Sequence, residues 1–265
     1  MKRLSILFLM AMLVVVQESA ASGMMRAPQR FLKRMDAKEY FENEADIQLA
    51  RALSRGNIAA MRDALDRGAD PNALGREGMR PLFWAMAKDS PEGFAFLLEN
   101  GADPNVVTEE DDARRKPLSV MGLAAIAEKP DYLRYALMHG GDPDFSAGYG
   151  NRTILYQAIL NRRFQNVQLL VEAGANINHQ DIGGNTPLLQ AVSGNKYDIA
   201  LFLLKKGADP TIKTTWGSDV RSFIETFGER GLRPGSPQHK YYLQVIDFLR
   251  HTSSGPAPQR TSPNP

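Results

Sequence analysis

The chain has 265 residues, of which 43% are hydrophobic and 23% charged, a composition that suits one or two soluble globular domains. Its formal net charge of only +2, from 32 basic and 30 acidic residues, argues against nucleic acid as a partner, because phosphate backbones demand a strongly basic face. The absence of cysteine excludes disulfides, thiolate metal sites and a cysteine nucleophile.

The N-terminus has the three-part layout of a secretory signal peptide. Lys2 and Arg3 precede an apolar run over residues 4–16, and small residues follow at 19–21. We expect residues 1–21 to be a signal peptide, residues 22–34 to be a linker, and the protein to be periplasmic. A retained anchor is the alternative, but 13 apolar residues fall short of the roughly 20 that span a bilayer, so no stable membrane anchor is expected.

Variants of one five-residue motif recur along the chain. They are GADPN from Gly68 and Gly101, GGDPD from Gly140, GANIN from Gly174 and GADPT from Gly207, separated by 33, 39, 34 and 33 residues. A period near 33 predicts stacked repeats, each a turn followed by two short helices.

Each motif marks the end of a helix. Apolar residues lie seven, four and three places before every glycine, which puts them on one helix face, as Phe94, Leu97 and Leu98 do before Gly101. The glycine closes the last turn in the left-handed conformation, and the proline and Asx residues begin a loop. The acids of the motif are therefore expected to serve the turn rather than a catalytic site.

The first helix of each unit is clearest in "NTPLLQAV" from Asn185, with Thr186 placed to cap the helix and Pro187 to begin it. With the motifs above, residues 44–216 resemble the ankyrin-repeat family. That resemblance implies an all-α solenoid of helix-turn-helix units with β-hairpin finger loops. The histidine of the family's Thr-Pro-Leu-His helix start is missing from the four recognisable copies, where Phe83, Gly122, Tyr156 and Leu189 stand instead.

We expect the ankyrin-repeat domain to span residues 35–250, with about five repeats and a cap at each end. Residues 35–44 are predicted to form an N-terminal capping helix, and residues 219–227 and 241–250 a divergent last pair. Residues 251–265 are Pro/Ser-rich and are predicted to be a disordered tail.

No catalytic, cofactor-binding or metal-binding motif was found. The histidines at 139, 179, 239 and 251 are scattered, and the Ser-x-x-Lys match at Ser193 falls in a turn between helices and lacks its companion motifs. Trp84 lies in a helix-start motif and is expected to be structural. The sequence therefore predicts a protein that is not an enzyme and binds no cofactor or metal.

The variable finger tips are the candidate partner-binding site, because such positions contact partners in the ankyrin family. Tyr149 and Trp216 are candidate hot spots, with packing against neighbouring fingers or the C-terminal helices as the alternative. The charged insertion at residues 108–117 is either a solvated loop or a functional finger extension. The candidate residues are Leu74, Arg76, Glu77, Glu109, Glu110, Arg114, Arg115, Tyr149, Asn151, Gln180, Ile182, Lys213 and Trp216.

These features favour an exported, non-catalytic protein-binding module that is monomeric when free. The resemblance to exported bacterial ankyrin proteins implies an immunity protein that neutralises an antibacterial toxin such as a phospholipase effector. The alternatives are an accessory or stabilising factor for a periplasmic enzyme, a secreted effector that scaffolds host proteins, and an enzyme whose catalytic residues escape sequence inspection.

Overall fold

The computed structural model describes Leu32 and residues 34–108, 118–146 and 150–252. The chain divides into two compact units, Met1–Gly148 and Tyr149–Pro265. The predicted signal peptide and C-terminal tail lie outside the described residues, apart from the last two residues of the final helix. None of the helices within the described ranges is long and apolar enough to cross a membrane.

The N-terminal unit contains three antiparallel helix pairs. The helices are α1 (Glu44–Arg55), α2 (Ile58–Asp66), α3 (Pro81–Ala87), α4 (Pro91–Glu99), α5 (Val120–Ile126) and α6 (Asp131–Met138). The first helices of successive pairs pack on each other, as α1 does on α3, and so do the second helices, as α4 does on α6. Their buried faces carry the apolar residues that the repeat register predicts, including Phe94 and Leu97.

The N-terminal cap differs from the capping helix predicted for residues 35–44. Before helix α1 begins at Glu44, only Ala37–Glu39 of this range is helical, as one 3-10 turn capped by the Asp36 side chain, and Asn43 caps the separate helix α1. Buried Leu32 is part of this cap, since the Lys88 ammonium donates to its carbonyl at 2.7 Å. The prediction was wrong because side chains of Asp36 and Asn43 start two separate helical segments within ten residues.

The C-terminal unit contains two regular pairs and a divergent last pair. Its helices are α7 (Ile154–Leu160), α8 (Phe164–Glu172), α9 (Pro187–Ser193), α10 (Tyr197–Lys205), α11 (Val220–Phe227) and α12 (Pro237–Thr252). As predicted, Thr186 caps α9, its hydroxyl accepting from the Leu189 amide at 3.2 Å. Helix α12 begins four residues earlier than predicted, at Pro237, a residue suited to a first helical turn.

The recurring motif ends helices as predicted. Gly68 and Gly207 take φ of 89° and 92°, the left-handed region that residues with a β-carbon enter only at a cost. The acid accepts from the backbone two residues on, as the Asp70 carboxylate does from the Asn72 amide at 2.8 Å. The acids of the motif therefore serve the turn.

The final amide of the motif has a second role, which the sequence reading missed. The Asn72 side chain donates to the carbonyl of Gly101 and accepts from the amide of Asp103, both at 2.8 Å, so it joins one motif to the next. Asn105 repeats both bonds with Gly140 and Asp142. In the C-terminal unit, Asn178 accepts from Asp209 at 2.9 Å. The motif therefore links successive repeats as well as ending helices.

These observations confirm the all-α, helix-turn-helix class predicted from the sequence. The finger loops are tighter than the extended hairpins expected. Within the described ranges they are turns that contain one isolated antiparallel bridge, between Val107 and Ser119.

Candidate functional site

Backbone hydrogen bonds close four finger tips at one register position, seven residues after the helix-ending glycine. The bonds run from Gly75 to Met79 at 2.7 Å, from Asp181 to Asn185 at 3.0 Å and from Thr214 to Ser218 at 2.8 Å. The Thr108 amide makes the corresponding bond to the Leu118 carbonyl at 2.8 Å. The residues inserted in this finger therefore lie in the sequence between the two residues that close it. The residues between the two ends of each closure form the tips.

In the C-terminal unit, backbone bonds also join neighbouring tips. The Ile182 amide donates to the Gly150 carbonyl at 2.9 Å, and the Thr215 amide donates to the Gly183 carbonyl at 3.0 Å. Three successive fingers are therefore joined in a row. We call residues 150–152, 179–185 and 213–218 the finger row. It presents side chains from a braced backbone, so little ordering entropy is lost when a partner binds.

Two large apolar side chains project from the finger row. Ile182 is 78% exposed and Trp216 is 90% exposed. This exposure rules out packing against neighbouring fingers or the C-terminal helices, the alternative considered for Trp216. A tryptophan so exposed has the area and rigidity of an interface anchor. In the N-terminal unit, Leu74 occupies a tip and is 53% exposed.

The amides of Asn151 and Gln180 brace the finger row. Asn151 donates to the Gln180 carbonyl at 3.4 Å, and its own carbonyl receives His179 Nε2 at 2.6 Å. The Gln180 amide donates to the carbonyls of Gly184 at 3.0 Å and Lys213 at 3.1 Å. These two predicted contact residues therefore hold neighbouring fingers together, while the Lys213 side chain is exposed.

The predicted charged residues of the first finger also lie at its tip. The Arg76 guanidinium contacts the Glu42 carboxylate at 3.0 Å, with both side chains largely exposed. Glu77 is exposed and has a φ of 56°, a left-handed conformation in a residue with a β-carbon. Both side chains point outward at a fixed position, so they can contact a partner together with Leu74.

Five predicted contact residues lie outside the described residues. They are Glu109, Glu110, Arg114 and Arg115 in the charged insertion, and Tyr149. Their roles remain predictions from the sequence.

An ion pair with a buried carboxylate in the finger row was not predicted. The Asp181 side chain is only 2% exposed and contacts the Arg152 guanidinium at 3.0 Å. It also accepts from the amides of Gly183 and Asn185, each at 2.9 Å. Burial raises the pKa of the Asp181 carboxyl, but hydrogen bonds from Asn185, Arg152 and Gly183 outweigh this and leave the pKa lowered. The sequence does contain a signal for this ion pair. Asp181 is an acid at a register position where other fingers carry Gly75, Thr108 and Thr214.

Tyr156 occupies the place of the missing helix-start histidine and supports the same finger. Its buried ring places the hydroxyl 2.7 Å from the His179 carbonyl and 2.6 Å from the Asn185 carbonyl. Burial and the nearby Asp181 carboxylate raise the pKa of this phenol well above its usual range, so Tyr156 remains a hydrogen donor at neutral pH. Tyr156 therefore stabilises the fourth finger through its hydrogen bonds to the two carbonyls, from the position where the family has histidine.

Trp84 is buried, as predicted for a structural residue. Its indole nitrogen donates to the Ala50 carbonyl at 2.8 Å, and the Lys88 ammonium lies 4.6 Å from its ring centre. Ser193 and Lys196 lie at the end of α9 and the start of α10, as the repeat register predicts. Over the described ranges, no group of three or more histidine, aspartate or glutamate residues is arranged to hold a metal ion.

Comparison with known proteins agrees with this architecture. Residues 121–214 match the family described as ankyrin repeats, in three copies. A solved ankyrin repeat domain from Acinetobacter baumannii is 27% identical, with a TM-score of 0.59, over 75% of this chain and 97% of that one. The ankyrin repeat domain of Bcl-3 shares the fold at a TM-score of 0.59 and 23% identity, over 91% of this chain and 97% of that one.

Among curated relatives, protein PhlB of Serratia liquefaciens is 28% identical over 159 residues, which are 59% of this chain and 66% of PhlB. Cyclin-dependent kinase 4 inhibitor B of Mus musculus is 44% identical over 61 residues, which are 23% of this chain and 46% of that protein. A putative ankyrin repeat protein of Acanthamoeba polyphaga mimivirus is 27% identical over 70% of this chain and 45% of its own length. The chain thus spans about half to two thirds of these relatives.

Ankyrin repeats form a scaffold for binding other proteins, and the exposed, braced finger row suits that use. Residues 121–214 are therefore identified as ankyrin repeats, and the described fold is similar to that of solved ankyrin repeat domains.

Proposed function

We propose that the protein is an exported, non-catalytic inhibitor that binds and neutralises an antibacterial toxin, with a phospholipase effector as the expected target class. The observation that carries this proposal is Trp216, 90% exposed on a finger held to its neighbour by the bond between Thr215 and Gly183. Exposing so large an apolar ring to water is unfavourable unless a partner covers it.

The form of the finger row supports inhibition by occlusion. Trp216 and Ile182 project as separate side chains, which suits insertion into a concave partner surface such as the mouth of an active site. Because the backbone beneath them is already ordered, the complex can be tight at a modest contact area. A similar protein from Mus musculus is named as an inhibitor of a cyclin-dependent kinase, which gives a precedent for an inhibitor in this family.

Export is part of the proposal. Lys2, Arg3, the apolar run and the small residues at 19–21 have the layout of a cleaved leader, so the target would be met in the periplasm. The chain would then act on a toxin delivered to the outside of the inner membrane.

The proposal is tested by crosslinking and by gene loss. A photoreactive phenylalanine analogue at position 216 should capture one protein in the periplasm, identified by mass spectrometry, and the same analogue at the exposed position 138 serves as control. For an immunity protein, loss of the gene should kill the cell only while the captured protein is present and active. Survival with reduced activity of the captured protein would instead identify an accessory or stabilising factor.

A further inference from the structure

Charge is unevenly divided between the two units, a fact that the net charge of +2 conceals. In the N-terminal unit the described residues include 11 Lys and Arg against 17 Asp and Glu. In the C-terminal unit they include 12 Lys and Arg against 8 Asp and Glu. The finger row does not account for the basic excess, because Arg152 is paired with Asp181 and Lys213 faces Asp219.

The excess cations lie at the other end of the helices, where the turns between paired helices meet. We call residues 160–163, 193–196 and 227–241 of the C-terminal unit the turn edge. Its second and third turns are bonded directly, since Asn195 donates to the Arg230 carbonyl at 3.1 Å. The Gln238 side chain accepts from the Tyr197 amide at 2.8 Å, which fixes the start of α12 at the same edge. The first turn follows α7, which packs on α9.

Exposed charge on the turn edge is predominantly positive. Arg162, Arg230, Arg233 and Lys240 are exposed, against one exposed acid, Glu229. The remaining charged residues there are half-buried Arg163 and buried Lys196, and half-buried Asp198 lies just beyond the second turn. The corresponding turns of the N-terminal unit lack such an excess, because exposed Arg55 and Lys129 are balanced there by exposed Asp89 and Glu128, with Asp89 and Lys129 paired at 2.6 Å.

Apolar side chains are exposed between these cations. Leu160 is 43% exposed and Phe227 is 41% exposed. The Arg230 guanidinium lies 4.8 Å from the Phe227 ring centre, and Tyr241 is exposed one residue after Lys240. Cations beside exposed leucine and aromatic side chains are the combination that holds a protein at the interface of an anionic bilayer.

The backbone at Arg162 supports a role for its side chain. Arg162 has a φ of 53°, a conformation that Asp89 and Asn195 adopt in the equivalent turns. Asx residues tolerate the left-handed region well, whereas arginine does so at a cost. Because an exposed arginine adopts this unfavourable backbone conformation, we infer that its positive charge contributes to binding.

We propose that the turn edge binds the surface of an anionic phospholipid membrane, peripherally and reversibly. The exposed cations lie on separate turns and are not arranged around one pocket. Such a spread of positive charge suits a fluid array of phosphate headgroups better than the fixed carboxylates of a folded acidic protein. Leu160 and Phe227 would enter the headgroup region beside Arg162 and Arg230. Because the finger row lies at the opposite ends of the same helices, both surfaces can be occupied together.

The test is co-sedimentation of the full chain with vesicles of phosphatidylcholine alone or with phosphatidylglycerol added. We expect binding to the anionic vesicles only, with release at high salt, since each exposed cation contributes roughly fivefold to the partition coefficient. An apolar leader left on the chain would bind both vesicle types alike, so the difference between the two is the readout. Equal binding to both vesicles, or binding that salt leaves unchanged, overturns the proposal.

Matched variants locate the surface. R162N removes a charge while placing at position 162 a residue that suits its backbone, so the fold should be at least as stable and binding about fivefold weaker. The double variant R162N/R233Q should bind more weakly still. R55Q removes an exposed charge in an equivalent turn of the N-terminal unit and should bind as the wild type does. If R55Q and R162N weaken binding equally, or if a duplex DNA oligonucleotide binds more tightly than the vesicles, the proposal is wrong.

Discussion

The Asp181 carboxylate lies 3.0 Å from the Arg152 guanidinium and is almost completely buried beneath the finger row. Since Asp181 belongs to the fourth finger and Arg152 to the third, this pair fixes one finger against the next. The same carboxylate closes its own loop through Gly183 and Asn185. The position of Ile182, which lies between these contacts, therefore depends on Asp181.

We predict that Asp181→Ala destabilises the protein by about 2–4 kcal/mol, because several part-buried donors lose the acceptor that they share. Asp181→Asn should cost less, since its carbonyl oxygen still accepts. Urea unfolding at neutral pH measures the loss, and D247N, which changes an exposed aspartate on α12, is the control. Equal stability of D181A and D247N would show that the buried network contributes nothing to folding.

Stability should also depend on pH in the acid range. Hydrogen bonds lower the pKa of Asp181, as described, and the backbone and hydroxyl of Ser222 lower that of Asp219, the cap of α11. A carboxyl whose pKa is lower in the folded state stabilises the fold above its unfolded pKa, about 3.9, and the contribution is lost as the pH falls through the folded pKa.

The urea midpoint should therefore be constant from about pH 7 to 5 and fall below about pH 4. D181N should show a shallower fall, because it removes one of the two groups. A midpoint that rises on acidification, or an unchanged slope in D181N, would contradict this prediction.

A third prediction concerns the amide that links successive repeats. Asn72→Asp keeps the oxygen that accepts from Asp103 but loses the donor to the Gly101 carbonyl. In this variant a carboxylate oxygen faces the Gly101 carbonyl oxygen in place of the lost hydrogen bond. We therefore expect the free energy of unfolding to fall by about 1–2 kcal/mol, similar to the effect of Asn72→Ala. Denaturant titration measures both variants. If N72D were as stable as wild type, the donor half of the link would be dispensable.

Much of the fold could be predicted from the sequence because its signals are local. Helix ends follow from Gly68 and Gly207 and their register, and the Thr186 cap from a single hydroxyl before Pro187. Pairings between distant residues could not be predicted in this way. Arg152 with Asp181 and Asn72 with Gly101 are 29 residues apart, and their geometry depends on how repeats stack.

In the candidate site, too, local features could be predicted from the sequence and contacts between fingers could not. Trp216 and Ile182 were identified because they are apolar at variable tip positions, and their exposure agrees with that reading. Asn151 and Gln180 were grouped with them by register alone, although their amides bond neighbouring fingers. Sequence can place a residue at a tip, but whether a polar side chain faces a partner or the next finger depends on the spacing of the fingers.

The last prediction concerns Trp216 itself. Trp216→Ala should weaken binding of the partner at least tenfold, as expected of a central aromatic anchor, while the free energy of unfolding changes by less than about 0.5 kcal/mol. The small effect on folding follows from the exposure of the ring, which leaves few contacts to lose. M138A is the control, because Met138 is also exposed and apolar but lies at the end of α6 and not on a finger. Calorimetric titration against the crosslinked partner gives the affinity, and thermal unfolding of each free variant gives the stability. Equal affinities of W216A and M138A would exclude Trp216 as an anchor, whereas a large fall in the thermal midpoint of W216A would mean that the ring is part of the core.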